Sequence, residues 1–413
     1  MIAAGEREPL RLGTSFRLRT PEDTVAIATP LLADHGIRRI VDVTRLDRIG
    51  LPVFVAVRPT GRVLCVHAGK GATPAESRAS AVMEALEFAV AERLPARGSL
   101  LSLTAGQARR EFGVDVLSFC PRLGVEIPSD EPLQWVLGTD LSSGEERPLP
   151  WDLVYLVPPT ASARWFGSNT TGLASGNDVD EATLHALLEI VERDVKSLQT
   201  VRDETLLVLP DSLPESLGAV MHRIRAAGLQ CRLRFAGSDH GLPWFRAVIW
   251  DPEEADPELV NAGYGCHVDA ETAALRAVLE AVQSRLVYIH GGRDDLAEVF
   301  LRHEQLGSEG RAQHVQELLA RAGDASRCIR FEEVASWATA GSLDAALAGV
   351  LDALQRIGLG PAIRYVYESP NPRLSFVRVS VAGAENFTLA ERKVGRRLVA
   401  HLRSQGDALG VDR

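Results

Sequence analysis

The chain has 413 residues, 46% of them hydrophobic and 24% charged, with a formal net charge of −10. That suits a soluble protein with a substantial core, and the acidic balance argues against nucleic acid as a partner, whose binding face is basic. Five dispersed cysteines (Cys65, Cys120, Cys231, Cys266 and Cys328) form no CxxC pair, so neither a disulfide framework nor a zinc site of familiar spacing is expected. MIAAGEREPLRLG lacks the apolar core of a signal peptide, and no apolar run is long enough to span a bilayer. The expected compartment is the reducing cytoplasm, with no membrane partner.

In chain order, a helix from about Glu22 ends in LLADHG, and two strands follow in IRRIVDV and LPVFVAV. HAGKGATP then leads into a helix containing ASAVMEALE. LQWVLGTDLSSGEERPLPWDLVYLV (133–157) reads as a hairpin about its Ser-Gly turn and then another strand. SNTTGLASGN leads into the helix DVDEATLHALLEIVER. LGAVMHRIRAAGLQCRLRFAG and FRAVIWD repeat the helix, glycine, strand, turn, strand order of the first segment. NAGYGCHV leads into a third polar-edged helix, LRAVLEAVQ. The stretch from about Arg293 to Trp337 reads as mostly helical, with HEQLGSEG (303–310) as an exposed break. DAALAGVLDALQRIGLGPAIRYVYE and SFVRVSVAG repeat the first unit a third time. Arg392, Lys393, Arg396, Arg397 and Arg403 are expected on a basic C-terminal helix, read as a solvated face, with docking of an acidic peptide or partner as the alternative.

Two interleaved repeats therefore organise the chain. In the first, Gly36, Gly228 and Gly358 stand where a helix C-cap needs a left-handed residue. In the second, ASAVMEALE, LHALLEIVE and LRAVLEAVQ align without gaps, each behind a glycine-bearing segment. Their polar positions are Ser80/Glu84/Glu87, His185/Glu189/Glu192 and Arg276/Glu280/Gln283. The i, i+4, i+7 spacing puts each triple on one helix face, and Glu76 and Glu181 precede the first two by four residues. The fold class is α+β, with helices packed on largely antiparallel sheet and the repeats forming one interlocked unit.

At roughly 100° per residue, Glu181, His185, Glu192 and Glu189 fall within about 80°, beside the apolar stripe Leu184, Leu188, Val191 and Val195. Carboxylates at a core edge repel one another and resist desolvation. A solvated face with i,i+4 pairs is the plain alternative, since Arg193 follows Glu189 and Lys196 follows Glu192. Glu84, Glu87 and Glu280 have no such partner, because Phe88, Ala91 and Ser284 stand four residues on. If the three helices converge, about five glutamates share one cleft and need cations. Mg²⁺ takes carboxylate and phosphate oxygens together, so glutamates facing a triphosphate make sense with divalent metal between them. Lys70, Arg193 and Arg276 are then candidates for direct phosphate contact. GKGATPAES is not a Walker motif, and no GxGxxG is present. Cys266 beside His267 is a weak nucleophile candidate, because neighbours in an extended segment point apart. His185 reads as a polar helix-edge residue.

At these motifs the sequence resembles the YcaO family. GKG with SAVMEALE is similar to that family's first ATP-site motif. GLASGNDVDEATLHALLEIVERD and GYGCHVDAETAALRAVLEAVQSR are similar to the second and third. LDRIGLPVFVAVRP and HGGRDDL point to the subgroup associated with TfuA proteins. The resemblance implies a YcaO-type fold whose three Glu-bearing helices converge on one nucleotide cleft. It implies an ATP- and Mg²⁺-dependent enzyme that activates a peptide backbone amide by O-phosphorylation. Sulfur attack gives a thioamide, whereas attack by a Cys, Ser or Thr side chain gives an azoline.

Carried over position by position, Lys70, Ser80, Glu84 and Glu87 match the first motif. Asn177, Glu181, Glu189, Glu192 and Arg193 match the second, and Glu280, Gln283 and Arg285 the third. Glu84, Glu181, Glu192 and Glu280 are assigned to Mg²⁺. Lys70, Ser80, Glu87, Asn177, Glu189, Arg193, Gln283 and Arg285 are assigned to ATP. Thr171 stands where many members have asparagine. ALGVDR lacks the proline-rich ending of azoline-forming members, which favours the thioamide. The expected partners are a precursor peptide or protein, a TfuA-like protein with a sulfur donor, and a second copy in a homodimer. The expected organisation is an extension over 1–20, a catalytic region over 21–385 and the basic helix over 386–413. A non-catalytic peptide- or partner-binding scaffold is the alternative of another class, and a small-molecule kinase or ligase a further one.

Overall fold

Three strand–helix pairs organise the chain, and glycine explains their closeness. Strand β1 (Val66–Lys70) leads into α1 (Pro74–Ala91), β2 (Leu173–Gly176) into α2 (Val179–Val201), and β3 (Asn261–Cys266) into α3 (Ala270–His290). In this computed structural model a Cβ built on Gly69 would stand 2.2 Å from the backbone of Ser77 and Ala81. One on Gly176 would stand 2.6 Å from Ala182 N, and one on Gly263 2.2 Å from Ala277 O and Ala281 N. Glycine is required because each strand lies directly on the backbone of the helix that follows it. Ala81, Ala182, Ala273, Ala277 and Ala281 are fully buried on the helix side.

Capping starts each helix. Thr73 Oγ1 accepts from Glu76 N at 3.2 Å, with Pro74 opening α1. Asp178 accepts from Glu181 N and Asp269 from Thr272 N, both at 2.8 Å. Each oxygen satisfies a donor that has no partner within the helix.

The structure describes residues 9–406 apart from 94, 96–97, 157–162, 168, 255, 338–340 and 390–391. They divide into two compact units, each assembled from segments distant in sequence. One comprises the described parts of Glu8–Leu86 and Thr205–Gly341. Its five-stranded sheet has the order β3, 244–250, 230–236, 206–208, 328–329, antiparallel except for the last pair. A three-stranded sheet pairs 39–42 with 53–57 and 53–57 with β1, placing Val55 opposite Ala68. A hairpin pairs Leu10–Leu12 with Ser15–Arg17. The core of this unit joins Val53, Val55, Phe245, Ile249, Val278 and Val282.

The other unit comprises the described parts of Glu87–Glu204 and Ser342–Arg413. Its sheet has the order 101–104, 132–140, 362–366, 375–381, β2, and 146–150 pairs with 132–140. Trp135, Leu149, Leu187, Ile363 and Phe376 are buried in this unit.

Gly36, Gly228 and Gly358 are left-handed at φ +76°, +79° and +75°, each before a strand pair. In the first repeat, however, the α-helix ends at Ala28, and a 3₁₀ turn, Thr29–Leu31, and further turn residues separate it from Gly36. Three more local expectations need correction. After the hairpin, 151–153 is a single 3₁₀ turn, Val154 N donating to Trp151 O at 3.0 Å. Trp151, Leu153, Val154, Tyr155 and Leu156 are all buried, so the alternation of a strand is lost. The break between 297–305 and 307–323 narrows to Leu306. The C-terminal helix is Arg396–Gly406, because Arg392 has φ +51° and Lys393 is buried. No described helix is long and apolar enough to cross a membrane.

Candidate functional site

In the first unit β1 and α3 bring motif residues together. Lys70 Nζ donates to the Glu280 carboxylate, which also accepts from Tyr264 N at 3.3 Å. Gln283 Nε2 donates to Ala68 O at 2.7 Å. Lys70, Glu280 and Gln283 therefore form one polar edge, built by the third motif against the strand of the first. On α1, Glu76 accepts from Thr14 Oγ1 at 2.7 Å and Ala72 N at 3.2 Å. Glu84 Oε1 lies 3.9 Å from Nδ1 of buried His67. Burial first, then the Arg58 charge, pushes that imidazole down to about 3, so it faces Glu84 neutral. Ser80 is half-buried on the same helix.

Arg285 is not on that edge. It lies about 180° around α3 from Arg276, and its Nε donates to Asp47 Oδ2 at 3.0 Å, with both side chains 5% exposed or less. A guanidinium committed to a buried carboxylate on the far face supports the fold.

In the second unit the residues of the second motif gather on α2. Asn177 donates to Glu181 through its backbone N at 3.2 Å and through Nδ2 at 3.1 and 3.2 Å. Glu189 accepts from Gly172 N at 3.0 Å and lies 3.7 Å from Arg193. Burial raises the Glu189 carboxyl above the usual range, Arg193 opposes the rise and Glu192 adds to it. Glu87 accepts from Ser175 Oγ at 2.6 Å. Thr171 N donates to Asn169 Oδ1 at 3.0 Å, fixing the turn that precedes β2. His185 is a half-buried edge residue, as expected.

Glu181 and Glu192 are 2% and 4% exposed. Buried carboxylates beside asparagine, serine and arginine are hard oxygen donors of the kind that suit Mg²⁺ and phosphate together, so the residues fit both groups. Among the described residues, no three His, Cys, Asp or Glu side chains form a ready-made metal centre.

Two sets of residues escaped the sequence reading. Arg378, buried on strand 375–381, donates from Nη2 to Asn169 O at 2.8 Å and so ties down the turn before β2. Its only sequence signal is a lone arginine within SFVRVSV. Arg11 and Arg17 lie on the N-terminal hairpin, where Arg276 Nη1 donates to Thr14 O at 3.1 Å. Burial and then Arg276, with Arg17 and Arg11 adding to it against Asp269, push His267 down to about 3. The signal was LRLGTSFRLR, three arginines without an acid. Cys266 is 2% exposed, and the His267 ring meets Phe16 edge-on at 4.6 Å. That neutral, aromatic-packed histidine is no base for a thiol.

The YcaO cyclodehydratase family model, described as ATP- and Mg²⁺-binding, matches residues 68–385. An uncharacterised protein of Methanothermobacter thermautotrophicus is 34% identical over 385 residues, 92% of this chain and 97% of its own. An uncharacterised protein in the tfuA 3′ region of Rhizobium leguminosarum bv. trifolii is 34% identical over 379 residues, 89% and 88% of the two chains. Among solved structures, YcaO from Methanopyrus kandleri bound with AMPPCP and Mg²⁺ superposes with a TM-score of 0.74 at 24% identity, covering 94% of this chain and 98% of its own. A heterocyclase in complex with substrate and cofactor gives 0.72 at 21%, covering 97% and 57%. At these identities the superpositions speak for the fold alone. By its family match and its relatives, this chain belongs to the YcaO family of ATP- and Mg²⁺-binding, ATP-dependent peptide-modifying enzymes.

Proposed function

We infer that the chain converts a backbone amide of a ribosomally made peptide or protein into a thioamide. The observation that carries the choice of product is the relative in a tfuA 3′ region, 34% identical along nearly the whole of both chains. In this reading Mg²⁺ falls to Glu84, Glu181, Glu192 and Glu280. Lys70, Ser80, Glu87, Asn177, Glu189, Arg193 and Gln283 face the nucleotide, while Arg285 does not, because Asp47 holds it. Bound ATP supplies the phosphoryl group that makes the amide oxygen a leaving group. The chain's own side chains orient the phosphates and neutralise charge as it develops. Sulfur adds to the amide carbon, the carbonyl oxygen departs with phosphate, and the balance is amide plus sulfide plus ATP to thioamide plus ADP plus phosphate. A TfuA-like protein delivers the sulfur. The enzyme works in the cytoplasm as a homodimer, and residues 21–385 carry the catalysis.

The test is product mass. Incubation of peptide with the enzyme, a TfuA-like partner, ATP, Mg²⁺ and sulfide is expected to add about 16 Da, the difference between sulfur and oxygen. A loss of about 18 Da would assign the azoline reaction, the second reading, which the family's cyclodehydratase description supports. ATP turnover with no peptide change would leave the small-molecule kinase or ligase reading, and neither turnover nor peptide change would leave the scaffold.

A further inference from the structure

Helix α2 has a second polar edge, made by Asp194, which closes the second motif, and by Ser197 just beyond it, and neither is among the residues assigned to metal or nucleotide. Asp194 falls about 180° around the helix from the middle of the arc holding Glu181, Glu192 and Glu189, and Ser197 about 120° from it. Both are buried. Both are gripped by the segment that follows strand 375–381. Glu385 N donates to Asp194 Oδ1 at 2.7 Å, and Phe387 N donates to Ser197 Oγ at 2.8 Å. Arg397 Nη1 then reaches Asp194 Oδ1 and Oδ2 at 2.6 and 2.7 Å. Ser197 Oγ in turn donates to Arg193 O at 2.7 Å, so the grip extends to the backbone of a motif residue.

The segment is also tied to itself. The buried Glu385 carboxylate accepts from Gly395 N at 2.7 Å and Leu398 N at 2.8 Å, where helix 396–406 begins. The described residues 385–389 and 392–398 thus form a strap tied at both ends, with the back of α2 inside its grip. The family match ends at residue 385, so nearly all of the strap lies beyond it. Arg397, read from the sequence as part of a solvated basic face, is spent on an acid that is 0% exposed.

We propose that this strap fixes the rotation of α2 and that Arg397 is a positioning residue for the carboxylates on its opposite edge. The proposal rests on the nucleotide reading of those carboxylates. The geometry makes the helix sensitive: a turn of about 10° moves a group ~6 Å from the axis by ~1 Å, and in catalysis a displacement of that size costs up to about 10²-fold in rate. Arg397 adds a charge-assisted contact in which one Nη1 reaches both oxygens of Asp194, which is stronger than a neutral hydrogen bond.

Calorimetric titration of Mg²⁺–ATP into the full chain and Arg397→Gln separates positioning from folding. Positioning predicts unchanged stoichiometry and a Kd raised by roughly tenfold or more. Arg397→Lys, which keeps the charge, should recover most of the affinity. A lowered stoichiometry at unchanged Kd would mean that the pair serves only to fold the protein, and overturns the proposal. So does an unchanged titration. Wild type that binds no Mg²⁺–ATP overturns the nucleotide reading itself, which is a separate failure. If Arg397→Gln does not fold, Asp194→Asn keeps an acceptor for Glu385 N, and the same outcomes decide.

Discussion

Asp47 and Arg285 face one another at 3.0 Å on the side of α3 away from Arg276, Glu280 and Gln283. Each is the other's counter-charge in a place that water barely reaches. Removing Asp47 takes the hydrogen-bonded counter-charge from a buried guanidinium, leaving it the Asp251 charge that it also feels, and losing one member of a buried pair costs more than the pair itself contributes. Asp47→Ala is expected to lower unfolding free energy by roughly 3–5 kcal/mol in urea titrations. The folded fraction should still bind Mg²⁺–ATP with a Kd within about twofold of wild type, because the lesion is on the far face. Lost affinity without lost stability would return Arg285 to the nucleotide site.

Glu192 is the sharper test of the metal assignment. It is 4% exposed on the motif face of α2, and its charge raises the pKa of its neighbour Glu189. Glu192→Gln keeps the shape and removes a negative charge that Mg²⁺ would compensate. ATP turnover should fall by about 10²-fold or more, while the Glu189 carboxyl loses a repelling neighbour and stability holds or rises slightly. Turnover within a few-fold of wild type would remove Glu192 from the site.

The sequence exposed local periodicities well and distant partnerships poorly. Gly69, Gly176 and Gly263 were visible as glycine segments before polar-edged helices, because strand–helix contact needs the small residue within a few positions of the helix start. The carboxylate faces were visible because i, i+4, i+7 is a property of one helix. Arg378–Asn169 and Arg397–Asp194 were not visible, since 209 and 203 residues separate the partners. Charge alone made the C-terminal arginines look solvated, yet a long side chain can carry its charge inward when a buried acid waits there. The strand expected after 150 failed for a different reason. A run of consecutive apolar side chains satisfies a buried turn as readily as a strand.

Two glycines should respond to alanine with opposite signs. At Gly263 the new Cβ meets Ala277 O and Ala281 N at 2.2 Å, and backbone on both sides cannot move away cheaply. Gly263→Ala is expected to cost about 1–3 kcal/mol or more. Gly218, inside helix 215–226, has nothing within 4 Å of its Cβ position. Gly218→Ala should stabilise by about 0.5–1 kcal/mol, the helix-propensity difference. Thermal unfolding of the two variants checks both signs, and a neutral Gly263→Ala would mean that β3 and α3 are less tightly apposed than the structure has them.

Asp152 should leave a pH signature opposite to that of an ion-paired acid. It is 4% exposed in the turn after the hairpin. Burial pushes its carboxyl up to about 7, against a backbone hydrogen bond and the Lys393 charge, both of which favour the ionised form. The unfolded chain gives up this proton near the ordinary carboxylate value, about 3.9. Between that pH and 7 the folded state therefore holds more protons than the unfolded state, and stability falls as pH rises, by up to about 1.4 kcal/mol per unit. Below this window the carboxyl is neutral in both states, and above it ionised in both, so the contribution is flat outside. Asp152→Asn is neutral throughout and lacks this slope. Urea midpoints at pH 4, 5.5 and 7 should show the variant gaining on wild type at each step. Parallel curves would mean that Asp152 is already ionised in the folded protein at pH 4, with Lys393 as its counter-charge and burial the lesser influence.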